Sequence, residues 1–452
     1  MVFYFVQRGE TLFAIAKRYQ TTVHAIVAAN RLDDPNGICP GQALIIPRPG
    51  EVPLPPPGGI VHLVRPGETP FQLADKFGTT VPEILRANQI AHPEFIMAGQ
   101  QLVIPELPEP GDDWPTVGRT PARTGVTAVS LSGIPVEAWS YAPRHHIGLR
   151  PSAPVIRYER VFAGLGDGHY YAFDRHTGSV KWRTAAIAGE LDESLIGASL
   201  AAPALYDGLA YLCGPDGTVK AVDAHSGRKV WQVSLGGPVT GAPAVVDGIL
   251  YVGGWNRHIY ALEGKTGAIA WKTNVEARVL HPVALGDDHL YAVTEGGQLL
   301  ALDMSTGSVH WRVDTDQSCP PVFAELLVIA GGVAFDPATG EQVWRAPGVA
   351  ESPVVRFDQV LYPDRAVDLF TGEARVVEAL SSLKGRSHLL AGESLLLATE
   401  NQTLMAWDVT TDRERWSLEL EAPATAQPAV APSQIAVTLE DGSVVAFRME
   451  VE

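Results

Sequence analysis

The chain is poor in the residue types that most often announce chemistry. Of its 452 residues three are cysteine, Cys39, Cys213 and Cys319. They are scattered and odd in number, so neither a disulfide framework nor a zinc-ligand spacing is present, and they read as small apolar residues. No stretch reaches the 18 or so apolar residues of a membrane span, and the longest candidate, LLVIAGGVAF, reads as strand and turn. The opening MVFYFVQRGETL meets Gln7 and Arg8 after five apolar residues, too short a run for a secretory signal. No Lys/Arg run is longer than two and the net charge is −17, which argues against a phosphate-neutralising surface for nucleic acid and against affinity for anionic wall polymers or acidic lipids. HExxH, GxSxG, Walker and Rossmann signatures are missing as well, and GGW at Gly253 to Trp255 is a strand end with no phosphate loop around it.

What the chain has is repetition. A phrase of the form Asp-Gly-x-x-x-Ala-x-Asp-x-x-Thr-Gly-x-x-x-Trp recurs as DGHYYAFDRHTGSVKW (167–182), DGTVKAVDAHSGRKVW (216–231), NRHIYALEGKTGAIAW (256–271) and GGQLLALDMSTGSVHW (296–311). Shorter copies end at Trp344 and at Val376, a further copy ends at Trp416, and DGSVVAFRMEVE runs to the chain end without a tryptophan. A period near 40 that holds several short β-type runs is the spacing of a four-stranded propeller blade. Asp-Gly supplies the positive φ of a tight hairpin, the alternating run that follows suits a pleated strand, and Thr-Gly makes the next turn. The Asp before that turn is placed to accept turn amides, and the tryptophan is a large apolar anchor whose N–H needs a carbonyl. Eight copies are countable. VEAWSYAP (136–143) offers the tryptophan strand that the last copy lacks, so this early strand is expected to pair with the C-terminal one and close the ring.

These residues resemble the pyrroloquinoline-quinone-like propeller repeats shared by quinoprotein alcohol dehydrogenases and the outer-membrane assembly lipoprotein BamB. The resemblance covers residues 114–452 and implies an all-β propeller of eight blades, with seven left open by the two shortened copies. It implies docking by Trp139, Trp182, Trp231, Trp271, Trp311, Trp344 and Trp416. Quinoprotein dehydrogenases carry a vicinal disulfide and a calcium set on long inserted loops. This chain has no Cys-Cys pair and trimmed repeats, so the expectation is a non-enzymatic protein with no cofactor and no metal, the dehydrogenase standing as the alternative.

The N-terminal part is a duplication. Residues 1–47 and 60–105 align at a constant offset of 58 without a gap: Gly9-Glu10-Thr11 matches Gly67-Glu68-Thr69, Asn30 matches Asn88, and Ile46-Pro47 matches Ile104-Pro105. Each copy reads as strand, helix, helix, strand (FYFV, TLFAIAKRY, TVHAIVAAN; VHLV, TPFQLADKF, TVPEILRAN), with Thr11, Thr69, Thr22 and Thr80 as N-caps. With GETL, AAN and PGQALIIP it is similar to the LysM domain, a small α+β (βααβ) module that binds N-acetylglucosamine-containing glycans. The resemblance implies a shallow glycan groove of Gly9, Glu10, Thr11, Leu12, Asn30, Arg31, Leu32, Ile38 and Pro40 in the first copy. In the second it implies Gly67, Glu68, Thr69, Pro70, Asn88, Gln89, Ile90, Ile96 and Ala98, where Pro70 and Ala98 depart from the usual Leu and Pro and weaken the groove. Gly9 and Thr11 also have evident backbone roles.

The organisation expected is therefore multidomain: LysM at 1–48, a proline-rich linker at 49–59, LysM at 60–106, a linker at 107–113 and the propeller at 114–452. His176 and His225 share one repeat position before Thr/Ser-Gly and read as turn residues, while His145-His146 precedes the first full copy. The function expected is attachment to peptidoglycan or chitin-type glycan through the LysM pair, with the propeller offering a surface to an unidentified protein partner or itself binding glycan or peptide. No nucleic acid and no membrane span are expected. LysM modules at an initiator Met resemble those of spore-coat and spore-cortex proteins, so the chain is expected at a cell wall or spore surface, either as a mature, trimmed sequence or as a protein made in the cytoplasm without a conventional export signal.

Overall fold

A computed structural model describes residues 2–6, 15, 18, 43–46, 59–64, 73, 84, 88, 100–105, 126–127, 131, 133–187, 193–286, 288–315, 318–324, 327–346, 353–356, 359–362, 365–376, 387–391, 395–400, 402–408, 411, 413–431 and 433–450. The chain divides into two compact units, Met1–Glu109 and Pro110–Glu452.

In the first unit the duplication is visible in backbone register. Val2–Phe5 pairs antiparallel with Ala43–Ile46, and Gly59–Leu63 with Gln101–Pro105. Val2 faces Ile46 and Ile60 faces Ile104, the same pairing shifted by the repeat offset. Val6 and Val64 are both buried, as are Ile15 and Leu73, each in helical conformation. In both copies an apolar residue just after the first strand and one in helical conformation are buried, which is how so small a module assembles a core at all.

Among the described residues the second unit is a series of eight mainly antiparallel sheets, propeller-like in arrangement. The first runs through Val155–Arg157, Arg160–Leu165, His169–Asp174 and Val180–Ala185 in simple hairpin order. The second (204–234), third (244–274), fourth (284–314), fifth (322–345) and sixth (354–376) repeat it. The two shortened copies thus keep four strands each and lose length in the second to fourth strands and in the hairpin between the second and third. The seventh sheet comprises Ser387–Ala391, Leu395–Glu400, Thr403–Asp408 and Arg413–Glu419. The eighth is completed from the other end of the unit: Ile134–Tyr141 pairs antiparallel with Val444–Glu450, Trp139 opposite Ala446. The expected pairing of the Trp139 strand with the C-terminal one is present, and it ties the two ends of the unit into one sheet.

The first strands of neighbouring sheets touch one another, second to third, fourth to fifth, sixth to seventh and eighth to first, so these strands lie innermost. Six of the eight start directly after a proline (Pro154, Pro203, Pro243, Pro321, Pro353, Pro428) and are three residues long. The central strands are almost wholly buried while the fourth strand alternates, with Trp182 and Trp231 buried between exposed neighbours.

Candidate functional site

Of the eighteen residues expected to form the two glycan grooves, only Asn88 is among the described ones; the other seventeen lie outside them, as do Thr22 and Thr80. Asn88 is helical and half-buried, and its Nδ2 donates to the Ile84 carbonyl at 2.6 Å, one helical turn back. Ile84 is fully buried. Asn88 is thereby tied by its side chain to the backbone of a buried residue one turn earlier.

The tryptophans form a relay between sheets. Trp139 Nε1 donates to the Arg175 carbonyl at 2.7 Å, Trp182 to Ala224 at 3.0 Å, Trp231 to Gly264 at 2.7 Å, Trp271 to Met304 at 2.9 Å, Trp311 to Pro337 at 2.9 Å and Trp344 to Leu369 at 2.6 Å. Each acceptor lies in the last turn of the next sheet, and the Trp139 bond runs from the eighth sheet to the first. Two features missed in the sequence make the relay work. The residue before each tryptophan is an extra one in the fourth strand, as at Lys181, Val230 and His310, a bulge that re-aims the ring toward the neighbouring sheet. The glycine of each Thr/Ser-Gly turn is the floor on which the ring rests. At Gly267, φ is +74° and a Cβ would stand 2.6 Å from the Trp231 ring; Gly178, Gly227, Gly307 and Gly340 repeat this against their own tryptophans. The recurrence of Gly beside Trp at a fixed spacing was the available signal. Trp416 is buried, as are Trp139, Trp182, Trp231 and Trp344, while Trp271 and Trp311 are half-buried.

The repeat aspartates hold the same turns. Asp303 accepts the Ser305 and Thr306 amides at 3.0 and 2.7 Å and both hydroxyls at 2.7 and 2.8 Å. Bonds from Ser305 and then Thr306 hold its carboxyl down at about 2 against an ordinary 3.8. Asp223, Asp336 and Asp368 accept turn amides in the same way. These carboxylates are occupied with structure.

The histidines are likewise engaged. His176 Nε2 lies 2.9 Å from Glu159, and the His225 carbonyl accepts Arg160 Nη1 at 2.6 Å, with Arg160 Nη2 2.9 Å from His225 Nδ1. Of the adjacent pair, His146 accepts the Gly148 amide at 3.1 Å, and its ring covers Gly166 and Gly442, in the first and eighth sheets' hairpins. Among the described residues no three His, Cys, Asp or Glu side chains come together as metal ligands. Cys213 and Cys319 are buried and in no disulfide, Cys319 Sγ accepting the Gly331 amide at 2.9 Å, Cys39 lies outside the described residues, and burial pushes the Cys213 thiol well above its usual range. Among the described residues no helix is long and apolar enough to cross a membrane.

Small paired polar groups join the inner parts of the eighth and first sheets. Thr438, fully buried, donates through Oγ1 to the Ser152 carbonyl at 2.8 Å, and Ser152 Oγ accepts the Gly164 amide at 2.9 Å, joining the eighth sheet to the first a second time. One addition was absent from any sequence expectation: Val126–Thr127 runs parallel to the innermost strand of the seventh sheet, Val126 opposite Leu390 and Thr127 opposite Ala391.

Comparison with known proteins adds the following. The family model described as outer membrane protein assembly factor BamB matches residues 215–332 and 329–450, and the LysM domain model matches 4–47 and 62–105. The putative sporulation-specific glycosylase YdhD of Bacillus subtilis is 33% identical over 107 residues, 24% of this chain and 23% of that protein. The chitin elicitor-binding protein of Oryza sativa subsp. japonica is 35% identical over 108 residues, 23% of this chain and 30% of that protein. The chain thus spans less than a third of the length of either curated relative. Among solved structures, BamB from Moraxella catarrhalis is similar at TM-score 0.54 and 15% identity, covering 70% of this chain and 100% of that one. Quinohemoprotein alcohol dehydrogenase from Comamonas testosteroni is similar at TM-score 0.60 and 14% identity, covering 75% and 81%. At such identities the likeness is one of fold.

Proposed function

Since the chain belongs to the family described as outer membrane protein assembly factor BamB and carries two LysM domains ahead of that region, we propose that it is a glycan-tethered, non-enzymatic scaffold. The LysM pair, at 1–48 and 60–106, holds N-acetylglucosamine-containing glycan of peptidoglycan or chitin type in grooves built by the eighteen residues named above. The unit from 114 to the C-terminus is an eight-bladed propeller that presents a rigid surface to a protein partner. The protein works at a cell wall or spore surface. The single observation that carries the first half is the double match to the LysM model with one strand register kept in both copies. Two weak sites on one chain raise avidity by effective concentration, a physical reason for the pair.

The scaffold half is supported by where the polar residues of the sheets are engaged. Turn carboxylates, tryptophan N–H groups and histidines of the repeats are bonded within or between sheets. The fold likeness to a quinohemoprotein dehydrogenase keeps an enzymatic alternative in view, but the described residues do not fit a calcium-bound quinone. No three acidic or imidazole groups converge among them, and the residues leading into the innermost strands are Ala, Ser and Pro in the first and second sheets. The eight-blade count rests on the eight sheets and on the Trp139 bond that joins the last to the first.

The test is co-sedimentation of the full chain with insoluble peptidoglycan and, separately, chitin, with soluble N-acetylglucosamine oligomers as competitor. Pelleting that the oligomers reverse and that Leu12→Asp weakens supports the reading. A full chain that stays in the supernatant with both polymers overturns the glycan half.

A further inference from the structure

The seventh sheet differs from the others in its innermost strand. Elsewhere that strand is two or three residues long and is led in by a proline, immediately before it in six sheets and two residues before it, as Pro282, in the fourth. Proline has no N–H and cannot extend a ladder, so a short proline-led strand is a blunted edge. In the seventh sheet the strand is Ser387–Ala391, five residues, and Lys384, Gly385 and Arg386 precede it with no proline. Among the described residues that strand is the one of the eight that takes up an extra strand, Val126–Thr127, in parallel. The added strand also lies against the innermost strand of the sixth sheet. It sets Val126 opposite Leu390 and Thr127 opposite Ala391.

We propose that the inner edge of the seventh sheet is a β-addition site for an extended peptide segment of a partner protein, and that Val126–Thr127 occupies it in cis as a removable placeholder. The proposal rests on the scaffold reading and gives the partner a place and a chemistry. The segment it receives is uncharged, extended, made of small and β-branched residues, and parallel to Ser387–Ala391; Gly125-Val126-Thr127-Ala128-Val129-Ser130 is a sequence of that kind. In such additions main-chain hydrogen bonds supply most of the affinity and alternate side chains supply the choice of partner. A tethered strand competes at an effective concentration on the order of millimolar.

The experiment uses the full chain and, as probe, a fluorescent synthetic peptide of residues 122–131, read by anisotropy. Val126→Pro with Thr127→Pro removes the N–H groups of the cis strand and opens the edge. Thr127→Cys with Ala391→Cys joins two directly paired positions and locks it when oxidised. The opened chain is expected to bind the peptide at least about tenfold more tightly than wild type, which is the gain from a site closed nine-tenths of the time. The locked chain is expected to bind none until reductant is added. Equal binding by wild type and opened chain, equal binding by locked and reduced chain, or no binding by any form overturns the proposal. Hydrogen exchange provides a readout free of substitutions: excess peptide should deprotect, in wild type, whichever of the Val126 and Thr127 amides faces the seventh sheet, and unchanged protection of both at saturation counts against it. A partner captured as well by the locked chain as by the reduced one removes this edge as its site and leaves the scaffold reading standing.

Discussion

Trp231 allows the inter-sheet relay to be measured as an energy. Its ring is 9% exposed, rests on Gly267 of the third sheet and donates to the Gly264 carbonyl at 2.7 Å. Trp231→Ala removes the ring and leaves a cavity between two sheets that hydrogen bonds elsewhere hold apart, so the cost should be about 3–5 kcal/mol. The floor of the contact gives an independent handle. Gly267 and Gly248 share nearly the same backbone, φ +74° and +77°, but a Cβ on Gly248 meets nothing within 4 Å and one on Gly267 meets the Trp231 ring at 2.6 Å. Gly248→Ala should therefore cost only the left-handed backbone term, about 1–2 kcal/mol. Gly267→Ala should cost that plus about 1–3 kcal/mol of overpacking. In a Trp231→Ala background the excess at Gly267 should vanish, which is the signature of direct coupling. Guanidinium unfolding of the full chain followed by far-UV circular dichroism reads all four variants. A Trp231→Ala midpoint equal to wild type, or a Gly267→Ala cost that persists without the ring, would refute the reasoning.

Other outcomes follow from the same contacts. Asp303 has its folded pKa depressed to about 2 from 3.8 by its turn bonds, so its stabilising contribution is present above about pH 4 and is lost as pH falls through 2. The stability gap between wild type and Asp303→Asn should shrink over that window, and a carboxyl titrating near 3.8 by NMR would contradict it. Thr438→Val leaves the Ser152 carbonyl without its donor at a fully buried position and should cost about 1–3 kcal/mol, visible as a lower denaturant midpoint; no change would mean the eighth-to-first junction is held elsewhere. Leu12→Asp should reduce pelleting with peptidoglycan or chitin while the main unfolding transition of the full chain stays in place. A lowered main transition would show that Leu12 matters to the larger unit and not to a groove.

How much was legible beforehand depends on how local the cause is. The repeat phrase, its hairpins and its turn aspartates are set by neighbours a few residues apart, so spacing alone placed them, down to the amides that Asp174, Asp223 and Asp303 accept. The duplication carried its own check, since one offset predicts one register, and Val2 opposite Ile46 is matched by Ile60 opposite Ile104. The spare Trp139 strand could be assigned to the last sheet because a copy without a tryptophan leaves an edge to fill.

The remaining features were decided in three dimensions, because the contacts that fix them join residues that the chain keeps far apart. A sequence shows Gly next to Thr, and only the neighbouring sheet shows the tryptophan ring that excludes any larger residue there. Val126–Thr127 is two residues with no periodicity to announce a strand, and it becomes one because an unblunted edge at Leu390–Ala391 supplies the hydrogen-bonding partners it lacks. Local residue order dictated which elements form and how often. Which of them meet was settled by packing, where a bulge turns a ring toward its neighbour and one inner strand without a leading proline takes up an added strand.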